Sequence, residues 1–506
     1  MILSFQRSGP WIVAMLALGI LVAETSCLHA SEKKRPPNVI FILADDLGYG
    51  ELGCYGQKKI KTPNLDRLAA EGMRFTQHYS GSPVCAPSRC VLMTGMHPGH
   101  AYIRTNLATP PEGQHPLPAG TVTLARLLRS LGYATGAFGK WGLGGPGSSG
   151  VPDKQGFDRF FGYLCQSKAH NSYPPSLWDN DRRVVLKNPP IKLPDRLPEG
   201  ADPKDPANYK QYIGKEYSPG VIAEQARQFI RDNKDRPFFL FVPTTVPHLA
   251  LQVPEDALAE YRGKWDDPPY VGGKGYLPHH APRAAYAAMV TRMDQEVGRI
   301  MALVKELGLD DNTIIIFSSD NGPLGGRYAG TDSAFFNSTA GLRGFKGSLY
   351  EGGFRVPCIV RWTRRIRPGS TSDRVTGFED WLPTLLELTG NARAIPRDID
   401  GISFAPTLLG KAQEARPFLY REFPSYGGQQ SVRLGDWTGI RQNLVTGKGK
   451  NVKPRLHTEL YNLRDDPGQT KDVSAKHPDI VSQIERIFRE QHTPSEVFPI
   501  PVLDKK

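Results

Sequence analysis

The most constraining feature of the sequence is an apolar run that ends abruptly in two carboxylates. Residues 36–50 read PPNVIFILADDLGYG, and the continuous Val, Ile, Phe and Leu predict a strand that is buried on both faces. Such a strand belongs in a parallel sheet that helices cover on both sides. We therefore expect an α/β fold with Asp45 and Asp46 at the carboxyl end of a central strand.

The same succession of strand and polar residue returns three more times. Predicted strands end at Lys140, before His248, and before the pair Asp320 and Asn321. An amphipathic helix over residues 287–308 precedes the last of these strands. This alternation predicts a large mixed, mostly parallel sheet flanked by helices. Because ligands of open α/β sheets bind beyond the carboxyl ends of the strands, we expect these polar side chains to share one site.

The domain organisation follows from changes in the pattern along the chain. Residues 150–215 are poor in periodic pattern and are expected to form long surface loops that shape a cleft. After about residue 410, short strands, turns and one amphipathic helix predict a smaller C-terminal α+β subdomain that carries an antiparallel sheet. The boundaries are therefore expected to be 36–409 for the main domain and 410–506 for the subdomain.

The N-terminus has the order of a secretory signal peptide. Arg7 precedes the apolar run 11–23, which is too short for a comfortable membrane span and is followed by small and polar residues. This order predicts a signal peptide over residues 1–30 and a protein that is periplasmic or secreted, without a stable membrane span. An uncleaved anchor is the alternative interpretation.

The net charge and the cysteines indicate which ligands and which cysteine-based sites to expect. The net charge of +12 is explained either by solubility or by a preference for anionic ligands. No basic block is interleaved with aromatic residues, so nucleic acid is not an expected partner. The six cysteines are too scattered for a disulfide framework, and no C-x-x-C pair indicates a zinc or redox motif.

The acidic strand ends indicate a hard cation. Close carboxylates repel each other and do not both stay ionised unless a cation lies between them. Oxygen ligands from Asp45, Asp46, Asp320 and Asn321 suit calcium or magnesium better than zinc. Each pair alone could instead cap a helix or a turn, but their positions at matching strand ends favour the metal site.

The segment CAPSR at residues 85–89 indicates an anion site beside that cation. Pro87 fits the first turn of a helix, so Cys85 is expected to face the helix N-terminus, where backbone N–H groups favour anions. A glycine-rich loop over residues 341–357 supplies a lysine and lacks the spacing of a nucleotide-binding loop. The cations that we expect around a tetrahedral oxyanion are Arg89, Lys140, His248 and Lys346.

These motifs together resemble the formylglycine-dependent sulfatases, which share the alkaline phosphatase superfold. CAPSR matches the C-x-P-S-R signature of that family. The resemblance also covers ILADDLGYG, GKWGLG, the Pro-His of TTVPH, SSDNG and GFKGSLYEGG, in the order of the family, and ends at ELYNLRDDPG. It spans residues 36–470 and makes residues 36–409 the expected sulfatase catalytic domain.

The resemblance implies a sulfuric ester hydrolase. A formylglycine-generating enzyme or an anaerobic maturase would oxidise Cys85 to formylglycine, whose hydrate is the nucleophile of the family. It implies Ca²⁺, with Mg²⁺ as the alternative, held by Asp45, Asp46, Cys85, Asp320 and Asn321. The implied catalytic residues are Cys85, Arg89, Lys140, His248 and Lys346.

The sequence departs from the family pattern at two positions. Gly142 stands where the family usually has a histidine, and we hypothesise that His170 replaces it, the alternative being that His170 only contacts substrate or solvent. Met96 stands where the family usually has an arginine, which weakens the expectation that Cys85 is modified.

The expected substrate is a sulfated small molecule or, more specifically, a sulfated carbohydrate, with Lys168 and His170 as its binding residues. Two other functions compete with the sulfatase interpretation. One is a phosphatase or phosphodiesterase of the same superfold, which typically uses a Ser or Thr nucleophile and two zinc ions. The other is a catalytically inactive binder of sulfated glycans, for which Gly142 is the best argument.

Overall fold

The apolar run near the start of the sequence forms the central strand of a large sheet. The structure is a computed structural model that describes residues 35–190, 196–445, 454 and 456–505, so the predicted signal peptide over residues 1–30 lies outside the described residues. The strands are β1 (Asn38–Ala44), β2 (Met73–Phe75), β3 (His78–Tyr79), β4 (Ala134–Lys140), β5 (Arg159–Tyr163), β6 (Ser176–Asp179), β7 (Arg182–Val185), β8 (Phe238–Pro243), β9 (Thr313–Ser319), β10 (Cys358–Trp362), β11 (Ser370–Ser372), β12 (Thr376–Gly377), β13 (Leu419–Phe423), β14 (Gln429–Leu434), β15 (Trp437–Arg441) and β16 (Glu459–Asn462). The α-helices are α1 (Pro63–Glu71), α2 (Cys85–Thr94), α3 (Leu124–Ser130), α4 (Ser218–Asp232), α5 (Glu255–Ala259), α6 (Pro282–Glu306), α7 (Ser333–Phe336), α8 (Glu351–Phe354), α9 (Trp381–Leu388), α10 (Ala405–Leu408) and α11 (Pro478–Glu490).

The main sheet has ten strands in the order β11-β2-β10-β9-β1-β8-β4-β5-β6-β7. The central strands β9, β1, β8, β4 and β5 run parallel to one another, while β10 and β6 pair antiparallel to their inner neighbours. In the register of β1, Val39 lies opposite Phe239 on one side and Ile314 on the other. The predicted mixed, mostly parallel sheet is confirmed.

Both faces of the sheet are covered, as the continuous apolar pattern of β1 requires. Ile40 and Ile42 belong to a core cluster that contains buried residues of α1, α4 and α6. Val39 and Phe41 point to the other face and belong to a cluster with residues of α2, α3 and α9. Each face of β1 is therefore removed from water by a separate layer of helices, which explains why residues 39–44 of the strand are all apolar.

The prediction of long loops across residues 150–215 is wrong for three segments. β5 extends the parallel sheet beside β4, and β6 and β7 form an antiparallel hairpin at its edge. The hairpin turns at Asn180, whose φ is 52°. β7 is mostly exposed, and a short edge strand that faces water on both sides carries little apolar pattern from which it can be recognised.

The C-terminal segment forms the predicted antiparallel sheet. β13, β14, β15 and β16 pair in that order, and α11 buries Ile484 and Phe488 against Val432 and Leu460. Residues Pro36–Lys506 form one compact unit, and the boundary at residue 410 stays a prediction. Among the described residues, no helix is both long and apolar enough to cross a membrane.

A buried ion pair connects this sheet to the segment that leads into α2. The Arg421 guanidinium in β13 lies 2.9 Å from the Glu379 carboxylate, and neither side chain is exposed. Arg421 also donates to the carbonyl of Ser80 at 2.9 Å, five residues before Cys85 in the sequence. Burial raises the pKa of Glu379, but Arg421 and Arg416 outweigh it and lower the pKa to about 2. Glu379 is therefore ionised in the folded protein.

Replacement of Arg421 by methionine tests this connection. Among the described residues, Arg421→Met leaves only the Arg416 guanidinium bonded to the two buried carboxylates of Glu379 and Asp380, so we expect a loss of about 3 kcal/mol in the free energy of unfolding. Urea unfolding followed by tryptophan fluorescence measures it, with the exposed Arg464→Met as the matched control. A stability equal to that of the control would contradict a structural role for the pair.

Candidate active site

The carboxyl ends of the parallel strands place the predicted polar residues together. Asp45 and Asp46 follow β1, Lys140 ends β4, and Asp320 and Asn321 follow β9. Their side chains are all nearly or fully buried. Asp46 has a φ of 66°, and its backbone N–H donates to Asp320 Oδ1 at 3.1 Å. A non-glycine residue in this backbone region costs free energy, and such strain is commonly found at functional sites.

Cys85 is the first residue of α2 and lies at the centre of this group. Its Sγ lies 3.7 Å from Asp45 Oδ1 and 3.6 Å from the Nζ atoms of both Lys140 and Lys346. Burial raises the pKa of the Cys85 thiol to about 12, although the two lysines oppose this. Because the thiolate is the reactive form of cysteine, the unmodified Cys85 side chain is a weak nucleophile at neutral pH.

Three cationic side chains each pair with one of the three carboxylates of the site. Arg89, one turn into α2, donates from Nη2 to Asp320 Oδ2 at 2.8 Å and from Nη1 to the carbonyl of Lys140. Burial lowers the pKa of a lysine, but the neighbouring acidic groups together outweigh it, chiefly Asp45 at Lys140 and Asp46 at Lys346, so both pKa values are raised. The shortest Nζ–carboxylate distance is 2.7 Å for both lysines. Both lysines therefore stay protonated and charged.

The residues fit a hard cation. Asn321 donates from Nδ2 to Asp46 Oδ1 at 2.8 Å, whereas its buried Oδ1 has no hydrogen-bond partner among the residues that the structure describes. A buried oxygen without a partner is unusual in a folded protein and indicates a group that the site is built to receive. Burial and the neighbouring Asp45 raise the pKa of Asp320, so a cation bound here would favour its ionised form. A cation with oxygen ligands, Ca²⁺ or Mg²⁺, meets both requirements.

Two histidines stack beside the carboxylates. The rings of His170 and His248 lie 4.6 Å apart with an angle of 12° between their planes. His248 Nδ1 donates to the carbonyl of Leu249 at 2.7 Å, which leaves Nε2 facing Asp46 Oδ2 at 3.5 Å. Burial and the neighbouring lysines lower the pKa of His248, while burial and His248 lower that of His170 to about 2. Both rings are neutral in the free site.

A cavity of about 530 Å³ opens above Cys85 and contains His170, His248 and Lys346 in its wall. Lys168 is exposed and does not line this cavity, although its neighbour Ser167 does. The cavity also contains residues that no motif indicated: Asn106, Ala108, Gln114, Gln166, Tyr276, Leu324, Gly325, Tyr328 and Tyr426. These come from loops distant in sequence, so only the fold brings them together.

A second group of metal-ligand side chains, His97, His100 and Asp400, is explained by hydrogen bonds. His97 Nδ1 accepts from the backbone N–H of Gly99 at 3.1 Å, so the proton of the neutral ring is on Nε2, which donates to Gln491 at 3.0 Å. His100 pairs with Asp400 at 2.9 Å. His97 therefore has no free lone pair for a metal.

Two protein-family models match the parts of the chain that form the site and the C-terminal sheet. Residues 37–391 match the model of the sulfatase family. Residues 344–493 match the model of the C-terminal region of N-sulphoglucosamine sulphohydrolase. The first match covers the whole main sheet and all the strand ends described above, and the second covers the antiparallel sheet.

Individual relatives are similar to this chain over most of its length. Steryl-sulfatase of Mus musculus is 32% identical over 86% of this chain and 75% of its own length. N-acetylgalactosamine-6-O-sulfatase of Bacteroides thetaiotaomicron is 29% identical over 91% of this chain and 94% of its own. The crystal structure of Ps i-CgsB in complex with k-i-k-neocarrahexaose is 25% identical, with a TM-score of 0.72 over 90% of this chain and 92% of that one. The chain therefore belongs to the sulfatase family and is a sulfate ester hydrolase.

Proposed function

We propose that the protein hydrolyses sulfate esters of carbohydrates in the cavity above Cys85, through a formylglycine made from that cysteine. The observation that carries the proposal is the environment of Cys85, which lies at a helix start within 3.7 Å of Asp45 and 3.6 Å of two lysines. The thiol itself, with its raised pKa, is unsuited to attack. Oxidised to the aldehyde and hydrated, this position would supply an oxygen nucleophile.

Calcium is the metal that we propose, held by Asp45, Asp46, Asp320, Asn321 and the modified Cys85. Bound there, it would act as a Lewis acid toward oxygen atoms beside it. The three carboxylates already have three cationic partners, Arg89, Lys140 and Lys346. A divalent cation would give this group an excess of positive charge, which favours an anionic sulfate ester.

The remaining residues bind the sulfate and assist the leaving group. Lys140 and Lys346 are held by carboxylates at 2.7 Å, so they stabilise developing negative charge without reorganising. A bound sulfate brings negative charge close to His248 and raises its pKa relative to the free site. We propose that His248 then protonates the leaving alcohol from Nε2, while Nδ1 stays bonded to Leu249.

Carbohydrate is the substrate class that we favour. The cavity wall combines aromatic rings with amide side chains, which suits a polyhydroxylated ligand. The structure of Ps i-CgsB was determined with a neocarrahexaose, and the relative from Bacteroides thetaiotaomicron is named for a sulfated amino sugar. Lys168, exposed beside Ser167, is proposed to contact substrate groups outside the cavity. The predicted signal peptide supports export to the periplasm or medium.

Replacement of Cys85 tests the nucleophile. We expect the protein, co-produced with a formylglycine-generating enzyme, to hydrolyse 4-nitrophenyl sulfate and the Cys85→Ala variant to lose at least about 10³-fold in kcat/KM. Cys54→Ala is the control, because that half-buried cysteine lies outside the site. Full activity of Cys85→Ala would contradict the proposal, and a preference for 4-nitrophenyl phosphate would favour the phosphatase alternative.

Removal of the Asn321 oxygen tests the metal site. We expect saturating Ca²⁺ to raise the thermal midpoint of the EDTA-treated protein, since a ligand at 100 times its Kd stabilises the fold by about 2.7 kcal/mol. Asn321→Ala lacks the unpartnered oxygen, so its calcium-dependent shift should be at most half as large. Asn391→Ala, at a half-buried position outside the site, is the control. An equal shift in Asn321→Ala would show that calcium binds elsewhere.

His170 is proposed to assist release of sulfate after the ester bond has broken. Its ring stacks on His248 and lines the cavity, and its nitrogens have no hydrogen-bond partner among the described residues. We expect His170→Ala to slow steady-state turnover by about 10²-fold while the first turnover still releases nitrophenol in a burst. Rapid-mixing absorbance measures both phases. Wild-type values for the burst and the steady rate would contradict this role.

A further inference from the structure

Position 142 contributes no side chain to the site, and Gln166 fills the space beside it. Gly142 has a φ of 81°, and a Cβ atom built there would lie 3.0 Å from Gln166 Cγ and 3.4 Å from its Nε2. The two residues are held side by side because the backbone N–H of Gly142 donates to the carbonyl of Leu164 at 3.2 Å. Gln166 is 5% exposed and lines the cavity that contains Cys85.

Gln166 belongs to a chain of three amides whose orientation is fixed at both ends. The backbone N–H of Ala86 donates at 3.0 Å to an Asn106 side-chain atom, which must therefore be the oxygen Oδ1. Gln166 Nε2 donates to the same oxygen at 3.2 Å and to Gln114 Oε1 at 3.4 Å. Gln114 Nε2 donates to the carbonyl of Gly113 at 2.9 Å. A backbone donor at one end and a backbone acceptor at the other allow no flipped amide.

This chain leaves one donor and one acceptor free on the cavity wall. Asn106 uses Oδ1 for Ala86 and Gln166, so its Nδ2 group has no hydrogen-bond partner among the described residues. Gln166 uses Nε2 to donate to Asn106 and Gln114, and no donor among the described residues bonds to its Oε1. Both residues line the cavity. Neither amide carries charge, so together they suit a neutral ligand group that both donates and accepts, which is the property of an alcohol.

The position of the three amides relative to Cys85 indicates which substrate hydroxyl they would contact. Asn106 is bonded to Ala86, the residue that follows Cys85, so the free groups lie beside the reacting position. We propose that Asn106 and Gln166 bind a substrate hydroxyl adjacent to the sulfate ester, and so select esters of vicinal diols, such as sugars, over isolated sulfate esters. This inference rests on the proposed sulfatase function and goes beyond it in naming what the substrate must carry.

Two aryl esters that differ by one hydroxyl test the inference. 4-Nitrocatechol sulfate carries a hydroxyl next to its sulfate ester, and 4-nitrophenyl sulfate lacks it. The quantity to compare is the kcat/KM value for 4-nitrocatechol sulfate divided by that for 4-nitrophenyl sulfate. We expect this ratio to be about fivefold lower in Gln166→Met than in the wild type, because the loss of one neutral hydrogen bond has an effect of about this size. The comparison of ratios cancels the difference between the two leaving groups. Gln228→Met, on the exposed surface of α4, should keep the wild-type ratio.

Gln166→Glu provides a second variant of nearly the same shape. Its carboxylate cannot donate to Asn106 Oδ1 or Gln114 Oε1, so the ratio should fall there as well. If both variants keep the wild-type ratio, the inference is overturned and the sulfatase function stays intact. The same holds if a variant loses activity equally toward both esters, because the ratio is then unchanged. A wild-type protein with no activity toward either ester would contradict the proposed function itself, and the inference with it.

Discussion

The site depends on a balance between three buried carboxylates and three buried cations at the carboxyl ends of parallel strands. Asp45, Asp46 and Asp320 repel one another, and Arg89, Lys140 and Lys346 at distances of 2.7–2.8 Å offset the cost of burying them. The same pairs hold the cations in fixed positions around Cys85. Charge that would otherwise destabilise the fold is thereby organised for an anionic substrate and for the proposed metal ion.

The remainder of the fold supports this arrangement. β1, β9 and β4 end at the same edge of the sheet because they run parallel, and their apolar residues bury both faces under helices. Arg421 connects the C-terminal sheet to Ser80 and Glu379, so the segment that enters α2 is held by that sheet as well as by the main one. The C-terminal sheet thus takes part in placing Cys85.

Much of this could be predicted from sequence because the signals are local. A continuous apolar run followed by Asp45 and Asp46 specifies both a buried strand and what its end carries, and Pro87 specifies the start of α2. The strand β5 was missed because it is only five residues long and contains a glycine, and the hairpin β6–β7 was missed because most of β7 is exposed. Asn106, Gln114 and Gln166 could not be found, because an amide has no motif until the fold fixes its hydrogen bonds.

The most direct test of the account is the chemical state of residue 85. Peptide mass spectrometry of the segment that contains Cys85, with a carbonyl-reactive tag, reads it from protein produced in a host that has a formylglycine-generating enzyme. We expect an aldehyde in place of the thiol, and reaction with the tag. An unmodified thiol in protein that nevertheless hydrolyses sulfate esters would contradict the central claim that Cys85 is the precursor of the nucleophile.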